Sequence, residues 1–374
     1  MRESYDVAIA GAGIVGAACA AECAAARLKV IILEPGPIGG GATAAGMGHI
    51  VVMDDSPAQI ALTHYSRTLW QQLAPELPPD VEYVAAGTVW VAADEEEMEE
   101  VRRKQALYAG IGVRAEVLDA LALAEAEPNL RVNLAGGLLV PDDAVIYPPC
   151  AARFLLERAR SLGATLRYEA AAALSEEGIK LHDGSHIAAA ITVNATGAWA
   201  CELTPGIEVR KRKGHLVITD RYPSFVRHQL VELGYLKSAH STTADSVAFN
   251  AQPRRTGQIL IGSSRQFGAE HSAIDPAILG RMLARAAEYM PRLAELSAIR
   301  CWTGFRAATP DKLPLIGPCP EHPRLCLATG HEGLGITTSL GTAKLLAAQL
   351  TGRRAAIPIE PYLPSRKHDE AHHD

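Results

Sequence analysis

The chain has 374 residues, room for two domains with sizeable cores. Its 48% hydrophobic and 21% charged composition is that of a soluble globular protein, and a net charge of −6 offers no basic footprint for nucleic acid. The longest apolar stretches meet Gly, His or a charge before reaching membrane-spanning length, so no transmembrane segment is expected.

The chain opens almost directly on a strand, which leaves no secretory signal and points to the cytoplasm. That strand, residues 7–10, runs into a G-x-G-x-x-G turn at Gly11, Gly13 and Gly16, an Ala-rich helix, a second strand at 30–33 and Glu34. Such an order cradles a dinucleotide pyrophosphate. Gly11 permits the tight turn, Gly13 lets the backbone approach phosphate at the positive end of the helix, and Gly16 lets helix and strand pack closely. Glu34, 18 residues past Gly16, stands where a carboxylate accepts ribose hydroxyls and repels an extra 2′-phosphate. Ala12, Ile14 and Val15 complete the candidate contacts of this turn. Cys19 and Cys23 on the same helix read as small packing residues.

Residues 36–48 form a small-residue loop dense in backbone amides. Gly41, Ala42, Thr43, Gly46, Met47 and Gly48 are its candidate cofactor contacts, with the Thr43 hydroxyl available to a phosphate; a flexible connector is the alternative. A helix is predicted over 57–73, opened by Ser56 and Pro57. A strand follows at 87–93, then a helix from the acidic run 94–100 to near Gly110, the run reading as a solvated first turn favoured by the helix dipole. Next come a helix over 149–162, stopped by Gly163, and strands at 164–168 and 187–195. The second of these runs into Ala195, Thr196, Gly197 and Trp199, at a carboxyl end of the sheet where a ligand sits. Strands dominate 215–263, and Asp275 with Pro276 opens a helix to about Met290. The last third holds a strand at 325–328, a loop over 329–335 and a closing helix over 337–350 that Gly352 stops.

Nucleotide-type elements thus recur at the start, middle and end of the chain. The fold class this implies is α/β: a discontinuous Rossmann-type dinucleotide-binding domain of 1–50, 143–204 and 299–364, interleaved with an α+β substrate domain of 51–142 and 205–298 on a mostly antiparallel sheet. Residues 365–374 are expected as a disordered tail. Seven cysteines (19, 23, 150, 201, 301, 319 and 326) are scattered without a C-x-x-C pair, which argues for a reducing compartment and against metal or iron–sulfur ligation by this chain alone.

Four separated motifs carry a family resemblance: the N-terminal fingerprint with Glu34, the small-residue loop, the Ala-Thr-Gly at 195–197, and the block 302–317 followed by 329–336. Through them nearly the whole chain resembles the flavoprotein family of D-amino-acid oxidase, glycine oxidase and sarcosine oxidase. Within it, the phrases at 330–340 and 261–267 resemble the flavin (beta) subunits of bacterial D-hydroxyproline dehydrogenase and related opine and hydrogen cyanide synthase subunits.

The resemblance implies that the dinucleotide is FAD. In some relatives a cysteine near this block binds flavin covalently, but Cys301, Cys319 and Cys326 miss that position, so FAD is expected to be noncovalent. The turn Gly330, His331, Glu332, Gly333, Leu334 and Gly335, with Ile336 and Thr337 opening the helix, would face the flavin edge that gains negative charge on reduction; a cap without ligand is the alternative. Arg306, in Gly304-Phe305-Arg306, matches the arginine that holds the substrate carboxylate, with a surface ion pair to Asp311 as the alternative. His49 is a candidate for the flavin face, and Tyr235 and His240 for the substrate wall.

The expected reaction is hydride transfer from the alpha carbon of an amino or imino acid (D-hydroxyproline- or D-proline-like) to flavin N5. Electrons would pass to partner subunits carrying a second flavin or an iron–sulfur cluster, or to a quinone. The alternatives are a stand-alone glycine, sarcosine or D-amino-acid oxidase that makes hydrogen peroxide, a non-catalytic FAD-bound assembly subunit, and an NAD-dependent dehydrogenase.

Overall fold

The computed structural model describes residues 4–234 and 245–366. Two eight-stranded sheets carry most of the described chain. The first strand, Ser4–Ala10, is buried on both faces: Val7 and Ile9 pack with the helix Ile14–Ala25, while Ala8 and Ala10 pack with Ile179 and Ile187. Beside it lie His186–Asn194 on one side and Val30–Leu33 on the other, flanked by His322–Thr329 and Thr165–Arg167, all parallel; Leu315–Cys319 adds an antiparallel edge. Strand order therefore reverses at the first strand, which opens a crevice at the carboxyl ends of the strands. The helix Ile14–Ala25 lies close on this sheet, since a Cβ on Gly16 would stand 1.9 Å from the Gly11 carbonyl oxygen. Cys19 and Cys23 are buried on that helix and free, as packing residues are.

The second sheet runs Ala298–Ala308, Arg210–Thr219, Ile259–Arg265, Ser246–Pro253, Gln229–Glu232, Thr88–Ala92, Gly136–Val140 and Glu116–Asp119. All its pairs are antiparallel except Gln229–Glu232 with Thr88–Ala92. The helix Pro276–Tyr289 covers its outer face through Met282, Ala286 and Tyr289, and the stacked rings of Phe249 and Tyr289 sit 4.8 Å apart. Side chains cap the helices where the sequence places caps: Ser56 accepts Gln59 N–H, Asp94 accepts Glu97 N–H, and Asp275 accepts Ala277 N–H and Ile278 N–H.

Three boundaries differ from expectation. Residues 299–308 are expected with the nucleotide domain, yet the strand Ala298–Ala308 forms a long antiparallel ladder with Arg210–Thr219, so Arg306 stands on the second sheet. The helix Pro57–Leu73, expected with the substrate domain, packs on the helix Gly335–Thr351. Gly341 leaves room there for Ser66, and Trp70 Nε1 donates to the Ile336 and Thr337 carbonyls. Of the expected tail, residues 367–374 lie outside the described residues, while Arg366 is anchored: its guanidinium pairs with Asp311 at 2.7 Å and donates to the Leu313 and Pro314 carbonyls. No helix among the described residues is long and apolar enough to cross a membrane.

Candidate active site

A cavity of about 800 Å3 runs from the glycine turn of the first sheet to the inner face of the second. Its nucleotide end is largely backbone. Gly11 sits at φ +99°, and a Cβ there would lie 2.7 Å from the Ala195 carbonyl oxygen, so the position is closed to larger residues. The Glu34 carboxylate accepts Ala12 N–H at 2.8 Å on one oxygen and Gly36 N–H at 3.0 Å on the other. Each oxygen keeps further lone pairs for ligand hydroxyls. Part of the small-residue loop is a one-turn helix, Gly41–Ala45. Thr43 Oγ1 accepts Ile14 N–H at 3.0 Å and ties this turn to the first helix. Gly304 lets the same turn press on the second sheet, where a Cβ would stand 2.2 Å from the Ala45 Cβ. A long cradle with glycine where bulk is forbidden, and a carboxylate beside it, fits a dinucleotide such as FAD.

Most candidate cofactor residues line the cavity. Gly13, Ile14 and Val15 do so, as do Gly41, Ala42, Thr43, Gly46, Met47 and Gly48, the segment from Ala195 to Trp199, and residues 331–336. Four do not. Ala12 acts through its N–H on Glu34, and Gly16 serves helix packing. Gly330, at φ +80°, faces Thr309, whose methyl would lie 2.6 Å from a Cβ. Thr337 Oγ1 donates to the His49 carbonyl at 2.7 Å and receives Val51 N–H at 3.3 Å, so it holds the strand His49–Ile50.

The other end is charged. Arg306 lines the cavity, and its Nη1 donates to the Ser264 carbonyl at 2.9 Å. Gly214, paired with Gly304, leaves it that place: a Cβ on Gly214 would stand 2.5 Å from Nη1. Arg212 is directly opposite Arg306 in the ladder. Arg212 Nη1 holds Glu332 at 2.6 Å, and Arg265 Nε lies 3.9 Å from the same oxygen. Burial pushes the Glu332 carboxyl up, but the guanidiniums of Arg265, Arg306 and Arg212 outweigh it and hold it below its ordinary value. Three guanidiniums thus face the Glu332 carboxylate at this end of the cavity. Asp311, the alternative partner expected for Arg306, is paired with Arg366 at 2.7 Å.

Burial, with the Arg306 charge, lowers the His49 pKa to about 3, so its ring is neutral. Burial does the same to His331, whose Nε2 is 2.9 Å from Thr342 Oγ1. His331 is thus neutral and held by Thr342 on the cavity wall. Tyr235 and His240 lie outside the described residues. Sequence reasoning missed Trp90, Arg212, Gly214, Gln229, Asn250 and Arg265, which all line the cavity. The period-2 run Arg210, Arg212, Gly214, Leu216 was the one signal that placed some of them on a common face.

Comparison with known proteins agrees with this architecture. The model of the family "FAD dependent oxidoreductase" (DAO) matches residues 6–349. Glycine oxidase of Geobacillus kaustophilus is 30% identical over 386 residues, covering 98% of each chain. Hydrogen cyanide synthase subunit HcnC of Pseudomonas protegens is 28% identical, covering 98% of this chain and 97% of its own. The crystal structure of the Geobacillus kaustophilus glycine oxidase superposes with a TM-score of 0.87 at 28% identity, covering 98% of this chain and 99% of that one. That of L-proline dehydrogenase from P. horikoshii reaches 0.87 at 24% identity, covering 97% and 98%, and speaks to the fold. With the glycine cradle, the acid at Glu34 and the match from one end of the fold to the other, the chain belongs to the DAO family of FAD-dependent oxidoreductases.

Proposed function

We propose that this protein oxidises an amino or imino acid whose carboxylate is held by Arg306. The observation that carries the reading is the guanidinium itself, on the cavity wall, oriented by Ser264 and set among Arg212, Arg265 and Glu332. Bound FAD would rest on the glycine turn, Glu34 and residues 331–336, and would supply the hydride acceptor for the alpha carbon. Arg306 fixes the alpha carbon by two parallel hydrogen bonds to the carboxylate. The positive charge of Arg306 disfavours an ammonium beside it, which favours the neutral, reactive amine without a dedicated base. Met47, Leu216 and Val231 line the same cavity and keep water from the reacting carbon.

The finer reading is a cyclic imino acid of the D-hydroxyproline or D-proline type, with electrons leaving to a partner subunit or quinone. The phrases at 261–267 and 330–340 support it, as does similarity to a protein named as a synthase subunit. The second reading is a stand-alone glycine-type oxidase, favoured by the likeness to glycine oxidase. Arg306→Ala should lower kcat/KM for carboxylate substrates by roughly 10²–10³-fold, mostly through KM, with FAD still bound. Unchanged KM refutes the reading. Hydrogen peroxide formation matched against dye reduction then separates the two acceptors.

A further inference from the structure

Trp90 Nε1, Gln229 Oε1 and Asn250 Oδ1 are buried without a hydrogen-bond partner among the described residues, and all three residues line the cavity. Buried polar groups left unpaired are rare and call for an occupant. The sheet register brings these three together. Val231 pairs with Trp90 on one side and with Asn250 on the other, and Gln229 stands two residues before Val231 on the same face. Trp90 is held in place by the buried Lys104, whose Nζ lies 4.4 Å from the ring centroid and pairs with Asp54. The indole N–H donates, and the two amides offer acceptors. None of the three is ionised, whereas the guanidiniums gather around Glu332.

We infer that Trp90, Gln229 and Asn250 form a subsite for a neutral hydroxyl on the substrate's side chain. A hydroxyl accepts one bond and donates another, so it answers the indole N–H and an amide carbonyl at once. Water meets the same demand, and a substrate hydroxyl that displaces it must reproduce those bonds. The inference rests on the amino- or imino-acid reading, and it explains selectivity that Arg306 cannot supply, since every amino acid carries the carboxylate.

The test compares ligands differing by one hydroxyl: 4-hydroxy-D-proline with D-proline, and D-serine with D-alanine. Binding is measured to the dithionite-reduced, FAD-loaded protein, which cannot turn over, by the rise in melting temperature with ligand concentration. At least one hydroxylated ligand should bind about tenfold more tightly than its partner, equal to about 1.4 kcal/mol. Asn250→Leu and Gln229→Met should each reduce that ratio to below about threefold. Trp90→Phe, which removes the N–H and keeps an aromatic ring, should also reduce it if the larger changes disturb folding. Equal affinity within both pairs, no binding at all, or a ratio that survives every variant overturns the subsite. A clear preference in binding, with no flavin bleaching when the same ligands meet oxidised protein, keeps the subsite and removes the oxidation reading instead.

Discussion

At the nucleotide end of the cavity the wall is backbone and small residues, and its polar side chains are already engaged within the protein: Glu34 by Ala12 and Gly36, Thr43 by Ile14, His331 by Thr342. At the sheet end the wall is long side chains. Trp90, Gln229 and Asn250 hold polar atoms without partners among the described residues, and three guanidiniums crowd one carboxylate. The contrast separates two kinds of recognition. A ligand that stays bound is met mostly by backbone and small residues, a surface whose precision lies in where side chains are missing. A ligand that turns over is met by groups whose bonding is finished only when it arrives.

The most damaging way to break that contrast is to put bulk where the nucleotide end has none. Gly11→Val adds a branched side chain at φ +99°, against the Ala195 carbonyl. The purified protein should lose its flavin absorbance near ~450 nm while the chain still folds by circular dichroism. A yellow variant would mean that the cradle is not a cofactor site. A smaller effect should follow at the other end from Gly214→Ala, whose methyl occupies space 2.5 Å from Arg306 Nη1. Displacing the guanidinium by about 1 Å should reduce kcat/KM by about 10²-fold, and unaltered kinetics would show that Arg306 has freedom to move aside.

The smallest effect concerns stability. His331, 6% exposed, stays neutral in the fold down to about pH 3, whereas the unfolded ring titrates near 6.5. Between these values the unfolded chain binds the extra proton. The His331 contribution is therefore full above about pH 6.5 and is lost as pH falls, by about 1.4 kcal/mol per unit. His331→Gln should flatten the drop in melting temperature between about pH 6.5 and 4.5. Parallel profiles for the two proteins would place the acid sensitivity elsewhere.

The same division decides how much was legible in the chain. The glycine turn and Glu34 lie close together in sequence, so spacing alone exposes them, whereas residues 331–336, some 300 positions on, were placed through resemblance. Helix ends at Ser56, Asp94 and Asp275 were readable for the same reason, since a cap is a local device. Asn250, Gln229 and Trp90 are neighbours only through cross-strand register, which no local pattern encodes. Arg306 was found through resemblance, while Arg212 was missed although it stands directly across the ladder. The strand Ala298–Ala308 was assigned to the wrong layer because proximity along the chain stood in for pairing.

His49–Ile50 pairs antiparallel with Ala144–Val145, and Ile146 N–H donates to the Gly48 carbonyl at 2.9 Å. Gly48 makes this crossing possible, because a Cβ there would stand 2.0 Å from the Ile146 carbonyl oxygen. The excursion through residues 51–143 therefore departs and returns by one doorway. Within that excursion the helix Pro57–Leu73 stays packed on Gly335–Thr351 while Thr88–Ala92 joins the second sheet, so a single crossing lets one stretch of chain brace the cofactor side and reach the substrate side.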